Sequence, residues 1–305
     1  MRISTNTLYQ NGIARIGELQ GEQAKLQQQI SASKRILTPS DDPVAAARAL
    51  ELKEALSSNS QYASNRIIAK NQLSATEATL SNVSDLLLAA QSTLASAGNP
   101  TYSDEQRGYL ATELRGMRDE LMGLANTRDG SGNYLFSGFR SATAPYVASA
   151  TGADYQGDGG VQHMQVAAGR QMAVNEPGSD VFQADGTDVF QALNDIITLL
   201  ETPITDQAGQ DALSAGLATG NTDLAAALDN VLTARSRAGS KLNELDALDA
   251  AGLDLELQFK QTLSSLEDLD YAQAISDISK KQVILDAAQQ TFIKTVGLSL
   301  FNLLK

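Results

Sequence analysis

Cysteine and tryptophan are missing from this chain, histidine occurs once, and aromatic residues make up only 5% of its 305 positions. Without cysteine there is no disulfide, no thiolate metal centre and no thiol nucleophile. With His163 as the single imidazole, histidine-rich metal sites lack their material, and no serine nucleophile site is suggested near it. Basic residues are scarce as well: 23 Lys and Arg stand against 36 Asp and Glu, a formal charge of −13. That balance, with no clustered basic patch, argues against nucleic acid as a partner and against gripping an anionic membrane. No apolar run approaches the roughly 18 residues of a membrane span, and no basic-then-apolar leader opens the sequence. No cofactor and no metal are expected.

Ala, Leu, Ser and Gln dominate instead, a mixture suited to long helices with thin apolar seams. Near the N-terminus, Ile16, Leu19, Gln23, Leu26, Ile30, Ser33 and Leu37 recur in alternating steps of three and four. At the other end Tyr271, Ile275, Ile278, Gln282, Leu285, Gln289, Phe292 and Val296 do the same, and Leu303 closes the row. A 3.5-residue period lays each set along one seam that needs a partner helix. The apolar members Ile16, Leu19, Leu26, Ile30, Ile275, Ile278, Leu285, Phe292, Val296 and Leu303 are the candidate assembly residues. Gln23, Gln282 and Gln289 weaken an isolated seam and favour particular registers, as in helices that order on assembly.

Between the ends, a first helix is expected from about Thr5 to Leu37, broken by Thr38-Pro39-Ser40-Asp41-Asp42-Pro43. Ser40, Asp41 or Asp42 can cap the next helix, with Pro43 in its first turn. That helix runs some fifty residues, with a heptad of Leu73, Thr76, Leu80, Val83, Leu87, Ala90 and Leu94, until Gly98-Asn99-Pro100. Ser103 and Gln106 form a capping box for a third helix striped by Leu110, Leu114, Met117, Leu121 and Leu124. From Phe139 to Asp185, glycines, turn dipeptides and short alternations indicate a β-rich insert. Helix resumes at Val189–Leu200 and, after a glycine-containing linker, from about Asp223 through Leu224, Leu228, Val231, Leu242 and Leu245 towards Leu266.

The expected fold is mainly α: a long antiparallel helical rod or coiled-coil bundle formed by both chain ends, with a small β-rich inserted domain peripheral to the seams. The expected domains are 1–40 with 268–305, then 41–138 with 186–267, then the insert 139–185.

Catalytic constellations are lacking. His163 reads as solvent-facing or hydrogen-bonded. Asp154-x-x-Gly157-Asp158-Gly159-Gly160 misses the calcium-loop spacing, and Gly and Asp gather in turns for backbone reasons. Gly130-Ser131-Gly132 lacks the later glycines and lysine of a phosphate loop. The carboxylate pairs Asp41/Asp42 and Glu267/Asp268 sit at helix boundaries, where capping is the simpler reading.

Several stretches resemble the flagellin superfamily. Thr38 to Ala46, with Asp41, Asp42 and Pro43, is similar to its helix break after the first terminal helix. Asn133-Tyr134-Leu135-Phe136-Ser137-Gly138 resembles its segment leading out of the N-terminal helices. Leu266 to Ala272 resembles the start of its last helix. Met1 to Thr5 and Gly297 to Leu304 are similar to the hook–filament junction members rather than to filament subunits. The resemblance implies a structural adaptor of the flagellum, not an enzyme. It implies a homo-oligomeric ring between hook-associated protein 1 and flagellin, lying outside the cell. It further implies flagellar type III export without a cleaved signal, and a cytoplasmic chaperone on the C-terminal helix. A filament flagellin, or a helical adhesin whose β insert binds a ligand, are the alternatives.

Overall fold

The computed structural model describes residues 5–303, with side chains described for Thr7 and residues 9–295. The chain is mainly α. Its elements are α1 (Thr5–Ala32), α2 (Pro43–Ala97), α3 (Asp104–Ala125), β1 (Tyr146–Ser149), β2 (Gly152–Tyr155), β3 (His163–Ala167), β4 (Arg170–Ala173), α4 (Ser179–Phe182), a 3₁₀ turn (Ala184–Gly186), α5 (Val189–Glu201), α6 (Gln207–Glu267) and α7 (Tyr271–Leu303). They divide into a terminal unit, Met1–Ser58 with Asp254–Lys305, and a central unit, Asn59–Leu253.

Helix starts follow local chemistry. Asp42 caps α2: its Oδ1 accepts the Ala45 N–H at 3.0 Å and its carbonyl accepts the Ala46 N–H at 2.9 Å. Pro43 then takes the first helical position, where a missing N–H costs nothing. Ser103 and Gln106 close the capping box of α3 from both sides, at 3.2 and 2.9 Å. Asp188 caps α5 through the Phe190 and Gln191 N–H groups.

The central unit is built on the α2 heptad. All seven positions from Leu73 to Leu94 are buried, so this stripe is core. Leu114 and Leu121 of α3, Phe190 to Leu200 of α5, and Leu224, Ala227 and Val231 of α6 close around Leu80 to Leu94. Here α6 departs from expectation. It begins at Gln207, not near Asp223. The glycines that suggested a linker are packing positions instead. A Cβ on Gly220 would meet the Ile196 side chain at 2.6 Å, and one on Gly216 would press into Leu199. Small residues there let α5 and α6 approach closely, an advantage that exceeds the roughly 1 kcal/mol helix penalty of each glycine.

The insert holds two separate antiparallel hairpins, β1–β2 and β3–β4, the second with a bulge between Gln165 and Ala167. Both lie away from the terminal seams, and each packs into a core of the central unit. Tyr146 and Ala153 of the first hairpin join the larger core, with Tyr155, Phe182 and Phe190 gathered around the Tyr146 ring. Val166, Met172 and Val174 of the second form another core with Ala69, Leu73 and Leu245. Polar ties fasten it further. Arg66, buried, donates to the Val166 carbonyl at 3.0 Å and pairs with Asp249. Buried Glu176 accepts from Lys241 at 2.8 Å and Arg237 at 3.2 Å. Two-stranded hairpins are marginal alone, so each borrows a helical floor.

In the terminal unit α1 and α7 run antiparallel: Gln23 meets Gln282, and Tyr9 meets Phe292. Helix α1 ends at Ala32, short of the expected Leu37, because Ser33 turns left-handed at φ 57°. Among the described residues, only Leu19, Ala45, Ala49, Ala274 and Leu285 of this unit are buried, and none belongs to either core cluster.

Candidate assembly surface

The expected seam residues divide into those that α1 and α7 use against each other and those left facing water. Leu19 and Leu285 are buried, while Ile16, Leu26, Ile30, Ile278 and Phe292 are half-buried. Phe292 lies 5.2 Å from the Tyr9 ring, centroid to centroid, against Gly12, where a Cβ would meet the Phe292 ring at 2.6 Å. Ile275 is 55% exposed, and Ala274 takes the buried place beside it. The side chains of Val296 and Leu303 lie outside the described residues.

The exposed apolar residues of α7 are not confined to one edge. At 100° per residue, Ile275 and Ile293 share a face, Val283 lies about a quarter turn away, and Ile284 is opposite. Val283 and Ile293 are each 68% exposed, and Ile284 is exposed too. Tyr9 and Ile13 add to this on α1. Apolar side chains left on more than one face of a helix call for cover beyond a single partner helix.

Polar pairs set how α1 meets α7. Gln23 Nε2 donates to Gln282 Oε1 at 2.9 Å, and Lys281 pairs with Glu22 one residue along each helix. The Lys281 ammonium, by hydrogen bond and charge, holds the Glu22 carboxyl below its ordinary range. Asp41 braces the α1–α2 connection. It accepts the Thr38 and Leu37 N–H groups, both at 3.0 Å, and pairs with Lys25 at 2.6 Å. The Lys25 contact foremost, then the two backbone donors, lower its pKa to about 2.

The Asn133–Gly138 motif turns out of α3. Arg128 stacks over the Tyr134 ring at 4.2 Å, and Asn133 donates its N–H to Asp129 at 2.9 Å. Leu135 and Phe136 point into the core. Gly138 has φ 71°, and a Cβ there would overlap the Asp158 carbonyl. Asp158 in turn accepts from Phe139 N–H at 2.7 Å and Gly160 N–H at 3.0 Å. The Asp-Gly cluster read as a turn is thus a turn, whose carboxylate holds backbone donors. His163 is exposed, its Nδ1 3.1 Å from the Val161 carbonyl.

Sequence reasoning missed two features here. Glu267, taken as a cap, instead receives Lys34 at 3.1 Å and also Lys53. Gly12, in the middle of α1, makes room for an aromatic ring. An acidic residue closing α6 opposite the Lys34-Arg35 pair after α1 was the available signal for the first. Among the described residues, no group of three or more His, Cys, Asp or Glu could hold a metal ion, and no helix is long and apolar enough to cross a membrane.

Residues 3–141 match the family described as the bacterial flagellin N-terminal helical region. Along 319 aligned positions the chain is 38% identical to flagellar hook-associated protein 3 of Escherichia coli (strain K12), covering 100% of both chains. Identity to flagellar hook-associated protein 3 of Salmonella typhimurium is also 38%, over 99% of each chain. Among solved structures, hook associated protein-3 of Legionella pneumophila shares the fold, with a TM-score of 0.67 at 20% identity over 71% of this chain and 98% of that one. At 38% identity along its whole length, the chain belongs to the flagellar hook-associated protein 3 family.

Proposed function

We propose that this chain is a structural adaptor of the bacterial flagellum, joining the hook, through hook-associated protein 1, to the flagellin filament. Copies form a ring outside the cell, with the terminal segments 1–40 and 268–305 as the assembly part. The chain leaves through the flagellar type III system, and a cytoplasmic chaperone shields the C-terminal helix beforehand. It performs no catalysis.

The observation that carries this reading is the terminal unit's lack of a core. It leaves Ile13, Ile275, Val283, Ile284 and Ile293 exposed on α1 and α7. Hiding that surface takes other chains: neighbouring copies in the ring, and a chaperone groove before export.

The test is a strain lacking this gene, scored for motility and by electron microscopy. Complete hooks without filaments, with flagellin shed into the medium, is the expected outcome. Hooks with junction layers but no filament subunits would make the chain a filament flagellin. Normal flagella would shift the reading to a surface adhesin.

A further inference from the structure

Asn11 and Gly12 form a pair that belongs in a turn, yet the structure holds it inside α1. Glycine costs about 1 kcal/mol in a helix interior relative to alanine, and asparagine is a poor helix former too. Position 12 needs its glycine because the Phe292 ring lies against it. A Cβ there would meet two carbons of that ring, at 2.6 and 2.8 Å. Tyr9, just before the pair, stacks on the same ring at 5.2 Å between centroids. Asn11 itself is exposed. The packing of α7 on α1 thus keeps in place a dipeptide that is both a weak helix former and chemically labile.

We propose that Asn11 is a modification site, at which the chain converts its own amide to aspartate and isoaspartate when α1 is open and is protected when α1 is closed under Phe292. The Gly12 nitrogen, its proton taken by hydroxide, attacks the side-chain carbonyl carbon of Asn11. A nitrogen–carbon bond closes a succinimide, and ammonia leaves. Water then opens the ring at either carbonyl, so that overall one water enters and one ammonia departs. Glycine favours the attack because no side chain shields its nitrogen. Helix α1 opposes it in two ways. The Cα–Cβ bond of Asn11 tilts towards the helix N-terminus, away from the Gly12 nitrogen. The Gly12 N–H is committed to the helical ladder, and the Phe292 ring covers that residue. The product matters because isoaspartate adds a carbon to the main chain. The regular hydrogen-bonded rings of the helix lose their register across it, which turns Tyr9 off the Phe292 ring. Time spent with α1 open is thereby written into the subunit as a covalent change. The site goes beyond the assembly reading and stands without it.

The test is to incubate the full-length chain at mildly alkaline pH, in buffer and in urea, and to follow each asparagine by peptide mass spectrometry with isoaspartate-specific fragmentation. In urea Asn11 is expected to convert before Asn71, whose neighbour is Gln72, at a rate that rises in proportion to hydroxide. In buffer the wild-type rate at Asn11 should be about tenfold or more lower than in urea. Phe292→Ala should raise the rate in buffer severalfold and leave the rate in urea unchanged, which separates loss of cover from a change in the chemistry. Equal rates in buffer and urea, Asn71 converting first in urea, or Phe292→Ala converting no faster than wild type in buffer would each overturn the inference.

Discussion

Gln23 donates through Nε2 to Gln282 Oε1, 2.9 Å away, across the antiparallel α1–α7 pair. An amide pair in an apolar seam is satisfied in one register and unsatisfied one turn away, which makes it a device for alignment rather than stability. In the single subunit water reaches both residues, so Gln23→Leu should change unfolding free energy by less than about 1 kcal/mol. Its cost should appear on assembly, once neighbours exclude water. Thermal unfolding matched to wild type, together with fewer complete rings by electron microscopy, is the expected combination. Wild-type ring yield would count against a role in register.

Charges placed in the seam should act more harshly. Leu285→Asp with Phe292→Asp buries two carboxylates where α7 meets α1, at a cost on the order of several kcal/mol. Assembly and motility should be lost while circular dichroism still reports a folded central unit, because neither residue joins its cores. Motility at the wild-type level would sink the seam argument.

Gly138→Ala combines a left-handed backbone with an overlap on Asp158. Destabilisation of about 1–3 kcal/mol is expected, read as a lower thermal midpoint of the central unit. The neighbouring Gly130, with open space around its Cβ position, should tolerate alanine.

Acid should loosen the α1–α2 connection late. Asp41 has its pKa lowered from 3.8 to about 2, so its contribution is fully present above the ordinary carboxylate range and is lost as pH falls through about 2. Protection of amides 37–46, measured against their intrinsic exchange rates, should therefore fall between about pH 4 and pH 2, and Asp41→Asn should flatten that dependence. An unchanged acid profile in the variant would assign the effect elsewhere.

Deleting residues 142–181 removes Tyr146, Ala153, Val166, Met172, Val174 and Val181 from the two cores. Loss of cooperative unfolding is expected, not a smaller protein that still assembles. For the same reason 139–185 expressed alone should give the circular dichroism of an unfolded chain.

Much of the fold was legible because its determinants are local. The α2 stripe from Leu73 to Leu94 repeats within single turns, and Asp42-Pro43 and Ser103–Gln106 state helix starts within four residues. Glycine misled where its reason was a distant partner: Gly216 and Gly220 resembled a linker until Leu199 and Ile196 stood against them. Gly12 is legible only with the Phe292 ring in place.

The sequence by itself determined that the chain is helical, that its ends carry seams, and that thiol and histidine-cluster chemistry lack their residues, since periodicity and composition are legible along the chain. Only the tertiary structure decided that the two hairpins belong to helical cores, that Glu267 gathers Lys34 and Lys53, and which apolar faces of α7 remain uncovered. Those facts depend on groups tens to hundreds of residues apart, and closing such distances is an outcome of folding that no local pattern encodes.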